Sequence, residues 1–169
     1  MFVTGRPGSG KTFLILKVVD ELKKRELKVG GFVTQDIRAG NERVGFKIKD
    51  LASGREGILA HVEQKGGPQV SKYRVNIFDL EDIGVKAIEE AKDRADWIII
   101  DEIGKMELYS KKFENVVREL LSSNKNILAT VHWKYEHSLI VEIKRNYEVR
   151  SLSRENWEEI FEEIIRKLL

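Results

Sequence analysis

The chain of 169 residues is 41% hydrophobic, a content that supports one sizeable core, so we expect a single domain over residues 1–169. Its 30 basic and 28 acidic residues are interleaved and leave a net charge of +2, a balance that does not predict a nucleic-acid or membrane partner. The sequence contains no cysteine, which excludes disulfide bonds and thiolate metal sites, and we expect a cytoplasmic protein.

The first 25 residues indicate a strand, a loop and a helix in immediate succession. Residues 1–4 are predicted to form a short buried strand that runs into a glycine-rich turn. Residues 12–25 carry apolar side chains at helical spacing, namely Leu14, Ile15, Val18, Val19 and Leu22. The loop between the two elements is therefore held at both ends by regular structure.

The next segment predicts a group of strands. Between residues 29 and 59, short apolar stretches alternate with glycine-containing turns, which indicates strands with a hairpin across residues 39–41. Gly66-Gly67-Pro68 then marks a loop. We therefore expect an inserted β-hairpin region within an otherwise alternating chain.

The remainder of the chain alternates between helices and strands. Apolar spacing predicts helices over residues 81–94, 113–121, 137–145 and 157–168, and strands over residues 97–100, 127–131 and 147–152. Such alternation predicts an α/β fold with a mainly parallel central sheet flanked by helices. No stretch approaches the roughly 20 apolar residues that a membrane span requires.

The turn after the first strand matches a phosphate-binding motif over its full length. Gly5-Arg6-Pro7-Gly8-Ser9-Gly10-Lys11-Thr12 satisfies the Walker A, or P-loop, pattern G-x-x-x-x-G-K-[ST]. The glycines let successive backbone N–H groups point at an anion, and the helix adds the positive end of its dipole. Lys11 is expected to reach the β- and γ-phosphates of a nucleoside triphosphate, and the Thr12 hydroxyl to ligate Mg²⁺. The alternative is a plain glycine turn with a solvated lysine, which the flanking strand and helix disfavour.

A pair of acidic residues ends the run Trp97-Ile98-Ile99-Ile100-Asp101-Glu102. We expect this pair at the carboxyl end of a buried strand, where open α/β sheets bind ligands. Asp101 is predicted to hold Mg²⁺ through water, as a Walker B aspartate does, and Glu102 to orient and polarise the attacking water. An ordinary solvated strand end is the alternative, but the P-loop upstream favours the catalytic interpretation.

Weaker candidates surround these two motifs. Thr130 and His132 are candidate sensors of the γ-phosphate, although threonine is also a common strand residue and such a histidine is often only hydrogen-bonded at a sheet edge. Lys105 is the first candidate for a catalytic cation that stabilises the transition state, with Arg6 and Arg38 as alternatives. Judged singly, each of these cations is better explained as a surface charge.

Several runs together resemble the small P-loop nucleoside-triphosphatase family known from thermophilic microbes and from a human cancer-related nucleoside-triphosphatase. The matching residues are the P-loop with its Pro7, the run Gly31-Phe32-x-Thr34-x-x-x-Arg38, Gly45-Phe46, and Asp101-Glu102-Ile103-Gly104-Lys105-Met106-Glu107-Leu108. The last run is much more specific than the P-loop alone, and the resemblance extends over nearly the whole chain.

The resemblance implies a RecA-like P-loop fold and slow Mg²⁺-dependent hydrolysis of ATP, GTP and other nucleoside triphosphates to the diphosphate and phosphate. By position it implies two nucleotide-binding segments, residues 5–12 and residues 98–105, the second of which includes Gly104 and Lys105. The chain departs from the family near its end, where Asn156 is followed by Trp157 rather than by the usual arginine. A nucleotide contact by that arginine is therefore not carried over.

Two other functions fit the same motifs. A nucleoside or nucleotide kinase has a similar loop, but it needs an acceptor pocket and usually an arginine-rich lid, whereas Arg145, Arg150 and Arg154 are spread out in this sequence. A nucleotide-dependent switch would use the strands of residues 29–59 to bind a partner, with hydrolysis as a reset. The sequence assigns no protein partner, and the basic residues that alternate in those strands are typical of a solvated hairpin face.

Overall fold

The structure is a computed structural model that describes residues 1–168. Its elements in chain order are β1 (Phe2–Thr4), α1 (Lys11–Lys24), β2 (Val29–Ala39), β3 (Glu42–Asp50), β4 (Glu56–His61), β5 (Gln69–Val70), β6 (Tyr73–Val75), α2 (Ile77–Asp79), a π-helical segment (Leu80–Val85), α3 (Lys86–Arg94), β7 (Trp97–Ile103), a 3-10 turn (Glu107–Tyr109), α4 (Lys111–Leu121), β8 (Asn126–Val131), α5 (Ser138–Asn146), β9 (Val149–Ser151) and α6 (Trp157–Leu168). Among these residues, no helix has the length and apolar character needed to cross a membrane.

The strands of residues 1–168 form one nine-stranded sheet in the order β5-β6-β4-β3-β2-β7-β8-β1-β9. In this order, the five strands β2, β7, β8, β1 and β9 pair in parallel. The five strands β5, β6, β4, β3 and β2 pair in antiparallel fashion. The predicted α/β fold, with parallel central strands and an inserted β-hairpin region, is confirmed. The antiparallel part is larger than predicted because β5 and β6 extend it, and strands of two and three residues are too short to show a periodic pattern.

The parallel strands direct alternate side chains into two apolar cores. Ile99 of β7 and Leu128 of β8 pack with α1 and α6 on one face, whereas Ile98 and Ile100 pack with α3, α4 and α5 on the other. Burying each of these side chains stabilises the fold by roughly 1.5–3 kcal/mol. Because both faces are covered, β7 is a continuous apolar run rather than an alternation of apolar and polar residues.

The helix that precedes β7 begins earlier than residue 81 and is less regular than predicted. The Asn76 side chain accepts a hydrogen bond at 3.0 Å from the backbone N–H three residues later, and so caps the first turn. The segment Leu80–Val85 is π-helical. Gly84 lies within it, and a Cβ there would stand 2.9 Å from Cδ1 of Ile48, so the small residue lets this segment pack closely on β3.

We expect Gly31→Ala in β2 to destabilise the fold strongly. Gly31 has a φ of +93°, and a Cβ there would stand 1.9 Å from the carbonyl oxygen of Ile99 in β7. The backbone conformation alone costs about 1–2 kcal/mol for a non-glycine residue, and the overlap with β7 adds about 1–3 kcal/mol or more. Urea unfolding measures the loss of stability.

Gly54→Ala is the matched control for this experiment. Gly54 has a φ of +79°, but nothing lies within 4 Å of a Cβ added there. This variant should therefore lose only the conformational cost of about 1–2 kcal/mol. Equal losses of unfolding free energy in the two variants would contradict the close approach of β2 to β7.

Candidate active site

The predicted phosphate loop connects β1 directly to α1. Gly8 and Gly10 have φ values of +81° and +92°, in the left-handed region that favours glycine. Gly10 is also the N-cap of the 14-residue helix α1, and no side chain caps this end. The start of the helix therefore presents backbone donors and the positive end of its dipole, an arrangement suited to an anion.

The Lys11 ammonium lies across this loop. Its Nζ donates hydrogen bonds to the carbonyl oxygen of Gly5 at 2.7 Å and to that of Arg6 at 3.2 Å. The side chain thus folds back from α1 toward the beginning of the loop. Its positive charge is held beside the backbone that is predicted to bind phosphate.

Asp101 joins the phosphate loop to the sheet. β7 continues to Ile103, beyond the predicted strand end, so the acidic pair lies within the last residues of the strand. Asp101 is 2% exposed, and its carboxylate accepts hydrogen bonds from Thr12 Oγ1 at 2.9 Å and from Thr130 Oγ1 at 2.7 Å. One buried carboxylate therefore connects α1, β7 and β8.

A third carboxyl group, that of Glu107, lies beside the predicted pair. Its Oε2 accepts a hydrogen bond from the Gly104 N–H at 3.1 Å. Gly104 makes room for two carboxyl groups, since a Cβ there would stand 2.6 Å from Glu102 Oε1 and 3.1 Å from Glu107 Oε2. Glu107 was not among the predicted site residues, and its only signal in the sequence is its position in the run of residues 101–108.

The three carboxyl groups crowd a buried region, and this raises their pKa values. Burial, together with the charge of Asp101, raises the pKa of Glu102 from 4.5 to about 7. Burial and the neighbouring Glu102 raise the pKa of Glu107 well above 4.5. Burial also raises the pKa of Asp101, although the two threonine hydroxyls and Lys11 act in the opposite direction. The site therefore favours a proton or a cation.

The two predicted sensors have different surroundings. The buried Thr130 donates its hydroxyl to Asp101. Nδ1 of His132 accepts hydrogen bonds from the backbone N–H groups of Lys134 at 3.1 Å and Tyr135 at 2.9 Å, so the neutral ring carries its proton on Nε2. Burial and nearby lysines lower the pKa of His132, which favours the neutral ring. His132 thus organises the loop after β8.

Two of the candidate cations lie on loops that follow the parallel strands. Lys105 follows β7 and is exposed, with Nζ 6.0 Å from the centre of the Tyr135 ring. Arg6 belongs to the phosphate loop, and its guanidinium lies 5.4 Å from the centre of the Trp133 ring. Both charges are therefore available at the carboxyl edge of the sheet, where open α/β sheets bind ligands.

Arg38, the third candidate cation, lies near the end of β2 and contacts the hairpin that follows it. Its guanidinium donates to the Asn41 carbonyl oxygen at 3.1 Å, in the hairpin between β2 and β3. The last residue of β2 that pairs with β7 is Phe32, six residues earlier. Phe32 pairs with Ile100, and β7 runs parallel to β2 as far as Ile103, so an extended strand carries Arg38 roughly 10 Å past the end of β7. The suggestion that Arg38 stabilises the transition state stays a prediction.

The raised pKa of Glu102 predicts a pH-dependent stability. In the folded chain Glu102 keeps its proton up to about pH 7, whereas in the unfolded chain it ionises near its ordinary pKa of 4.5. Over this interval the unfolded chain binds fewer protons, so the free energy of unfolding should fall as the pH rises, by roughly 3 kcal/mol in total. Urea unfolding at a series of pH values measures this slope.

Glu102→Gln should remove this part of the pH dependence. The exposed Glu119→Gln is the matched control and should keep the wild-type slope. The stability of the wild type relative to Glu102→Gln should decline until the pH reaches about 7 and then level off. A constant difference between these two proteins over the whole range would contradict the burial of this carboxyl group.

Known proteins resemble this chain over nearly its full length. A family model described as NTPase matches residues 1–165. The nucleoside-triphosphatase THEP1 of Methanocaldococcus jannaschii is 47% identical over 169 residues, which cover 100% of this chain and 96% of that protein.

Two solved structures share the fold over almost their full length. The crystal structure of THEP1 from the hyperthermophile Aquifex aeolicus has a TM-score of 0.87 at 36% identity, covering 97% of this chain and 95% of that one. The solution structure of a human cancer-related nucleoside triphosphatase has a TM-score of 0.81 at 31% identity, covering 99% of this chain and 96% of that one. The resemblance noted in the sequence is confirmed, and the chain belongs to the NTPase family of small P-loop nucleoside-triphosphatases.

Proposed function

We propose that this protein hydrolyses nucleoside triphosphates to the diphosphate and phosphate in the presence of Mg²⁺. The observation that carries the proposal is the contact at 2.9 Å between the Thr12 hydroxyl and the buried Asp101 carboxylate, which joins the P-loop helix to the acidic pair of β7. Membership of the NTPase family and relatives named nucleoside-triphosphatases support the same reaction.

The oxygens of Thr12 and Asp101 fit a magnesium ion. Both are hard donors, and Mg²⁺ in nucleotide sites usually takes one or two carboxylates, with phosphates and waters as the remaining ligands. When bound, Mg²⁺ supplies positive charge to the phosphate oxygens. Thr130 donates to the other carboxylate oxygen at 2.7 Å and so fixes the orientation of Asp101.

The phosphate loop, residues 5–12, is assigned to bind and orient the triphosphate through its backbone N–H groups, with Lys11 at the β- and γ-phosphates. Lys105 is assigned to stabilise the charge that develops on the transferred phosphoryl group, and Arg6 is the second candidate for this task. Lys105 follows the acidic pair by three residues, in the loop after β7. These residues position the substrate, which is the larger part of catalysis in phosphoryl transfer.

Glu102 is assigned to orient the attacking water and accept its proton. A carboxyl group with a pKa of about 7 is partly ionised at neutral pH, which suits a general base. Because the ionised form is the one that accepts a proton, turnover should rise with pH through about 7.

Hydrolysis fits the site better than transfer to an acceptor. A kinase usually closes an arginine-rich lid over the phosphates to exclude water. Of the arginines near the end of the chain, Arg150 forms ion pairs with Glu159 and Glu163 of α6, which holds it against that helix. A nucleotide-dependent switch would have the same nucleotide site as a hydrolase, but it would need a partner protein to accelerate its turnover.

Phosphate release from a panel of nucleoside triphosphates with Mg²⁺ tests the proposal. Lys11→Ala should abolish productive triphosphate binding, whereas Glu102→Gln should retain binding and lose turnover by about 10² or more. Lys24→Ala, at the far end of α1, and Glu119→Gln are the matched controls and should keep wild-type turnover. Removal of Mg²⁺ by a chelator should stop turnover in every variant.

Acceptor nucleosides and nucleotides added to the same assay separate the alternatives. Release that is independent of acceptor and lost in Glu102→Gln is the outcome expected for a hydrolase. Wild-type turnover by Glu102→Gln would mean that another group positions the water. Consumption only with an acceptor would make the protein a kinase, and tight binding without any release would favour the switch.

A further inference from the structure

An exposed aromatic ring stands at the start of the P-loop helix. Phe13 lies in the first turn of α1 and is 56% exposed. Its ring centre is 5.2 Å from that of Trp157 at the start of α6, which itself stacks on Phe161 at 5.4 Å. The buried side chains of α1 are Leu14, Ile15, Val18, Val19 and Leu22. Core packing therefore does not account for Phe13.

Trp157 is fixed against the phosphate loop. Its indole Nε1 donates a hydrogen bond to the Gly10 carbonyl oxygen at 3.2 Å. A Cβ on Gly10 would stand 3.1 Å from Cδ1 of Trp157, so the ring and the loop are in direct contact. Because the loop already takes the only N–H of the indole, the ring offers apolar surface rather than a hydrogen-bond donor to a ligand.

The two rings line an open cleft of about 520 Å³, whose other wall is formed by Gly8, Ser9 and Gly10 of the loop. A second cleft, of about 630 Å³, lies along residues 4–9 and is lined by Trp133. Both volumes are in the range of small-molecule sites. The direction of the bound phosphates decides which cleft receives the nucleoside.

The phosphate assignments favour the first cleft. Lys11 is assigned to the β- and γ-phosphates, and Thr12 contacts Asp101, so the terminal phosphate faces β7 and β8. Trp133 follows β8, which puts the second cleft on the side of the terminal phosphate. The first cleft lies against α1 and α6, away from β7 and β8, so we place the nucleoside end of the nucleotide there.

We propose that the cleft of Phe13 and Trp157 binds the base of the nucleotide by stacking, an inference that rests on the proposed function. Apart from the buried Ser9 of the phosphate loop, the polar side chains around it are those of Arg154, Glu155 and Glu158. These three are exposed, so they read the hydrogen-bonding edges of a base only weakly. Stacking accepts every base because each has a π-face. The site therefore takes all common bases, binds purines more tightly than pyrimidines, and distinguishes adenine from guanine poorly.

Calorimetric titration of the full chain with ADP, GDP, CDP, UDP and inorganic pyrophosphate, each with Mg²⁺, tests this inference. The wild type should bind ADP and GDP with similar affinity and the pyrimidine nucleotides several-fold more weakly. Phe13→Leu should weaken ADP binding about tenfold, because the stacking surface is lost, and leave pyrophosphate binding unchanged. Phe13→Tyr keeps the ring and should retain the ADP affinity.

Two further variants show whether the effect belongs to this cleft. Phe78→Leu removes a ring that is 74% exposed elsewhere on the surface and should change nothing. If Phe13→Leu binds ADP as tightly as the wild type and Trp133→Leu binds it more weakly, the base lies in the second cleft and the proposal is overturned. An equal loss of pyrophosphate affinity in Phe13→Leu would also overturn it, since the damage would then lie in the phosphate loop.

The same titrations separate this inference from the function on which it rests. A preference for one base by more than about a hundredfold would overturn stacking as the means of recognition, because such discrimination requires paired polar groups. If neither ADP nor pyrophosphate binds the wild type, the proposed function fails and the base site fails with it. If both bind and Phe13→Leu has no effect, only the base site fails.

Discussion

The arrangement of the site depends on one buried carboxylate. Asp101 accepts hydrogen bonds from Thr12 at 2.9 Å and from Thr130 at 2.7 Å, and it is almost fully enclosed. An unpaired carboxylate in such a place is costly, so each hydroxyl stabilises the approach of its own element. The P-loop helix, β7 and β8 are therefore held in one geometry by a contact that also provides the oxygen ligands for a cation.

The charges around Asp101 follow from the same constraint. Glu102 and Glu107 share the space that Gly104 leaves open, and burial raises the pKa values of both carboxyl groups. Lys11 is held nearby by the carbonyl oxygens of the loop. A crowded set of carboxyl groups with one lysine is complementary to a polyphosphate that arrives with a divalent cation. The cleft at Phe13 has the opposite character, since it offers apolar rings to a ligand that is held by its phosphates.

Much of the fold and of the site could be predicted because the relevant signals are local. The strand, loop and helix around Lys11 are consecutive, and the acidic pair directly ends an apolar run. The prediction failed where the outcome depended on distant packing. The strands β5 and β6 are too short to carry a pattern. No local pattern in the sequence predicted that Glu107 would lie beside Glu102, because the turn at Gly104 brings the two side chains together.

The sequence by itself determined the α/β class, the phosphate loop and the identity of the acidic pair, because residue spacing and backbone propensity act within a few residues. Only the tertiary structure decided which groups meet. The Thr130 hydroxyl reaches Asp101 across 29 residues, and the Trp157 indole reaches the Gly10 carbonyl across 147 residues. Periodicity shows that a face is buried, but it does not specify the partner. That choice is made when the strands align and the helices pack on the sheet.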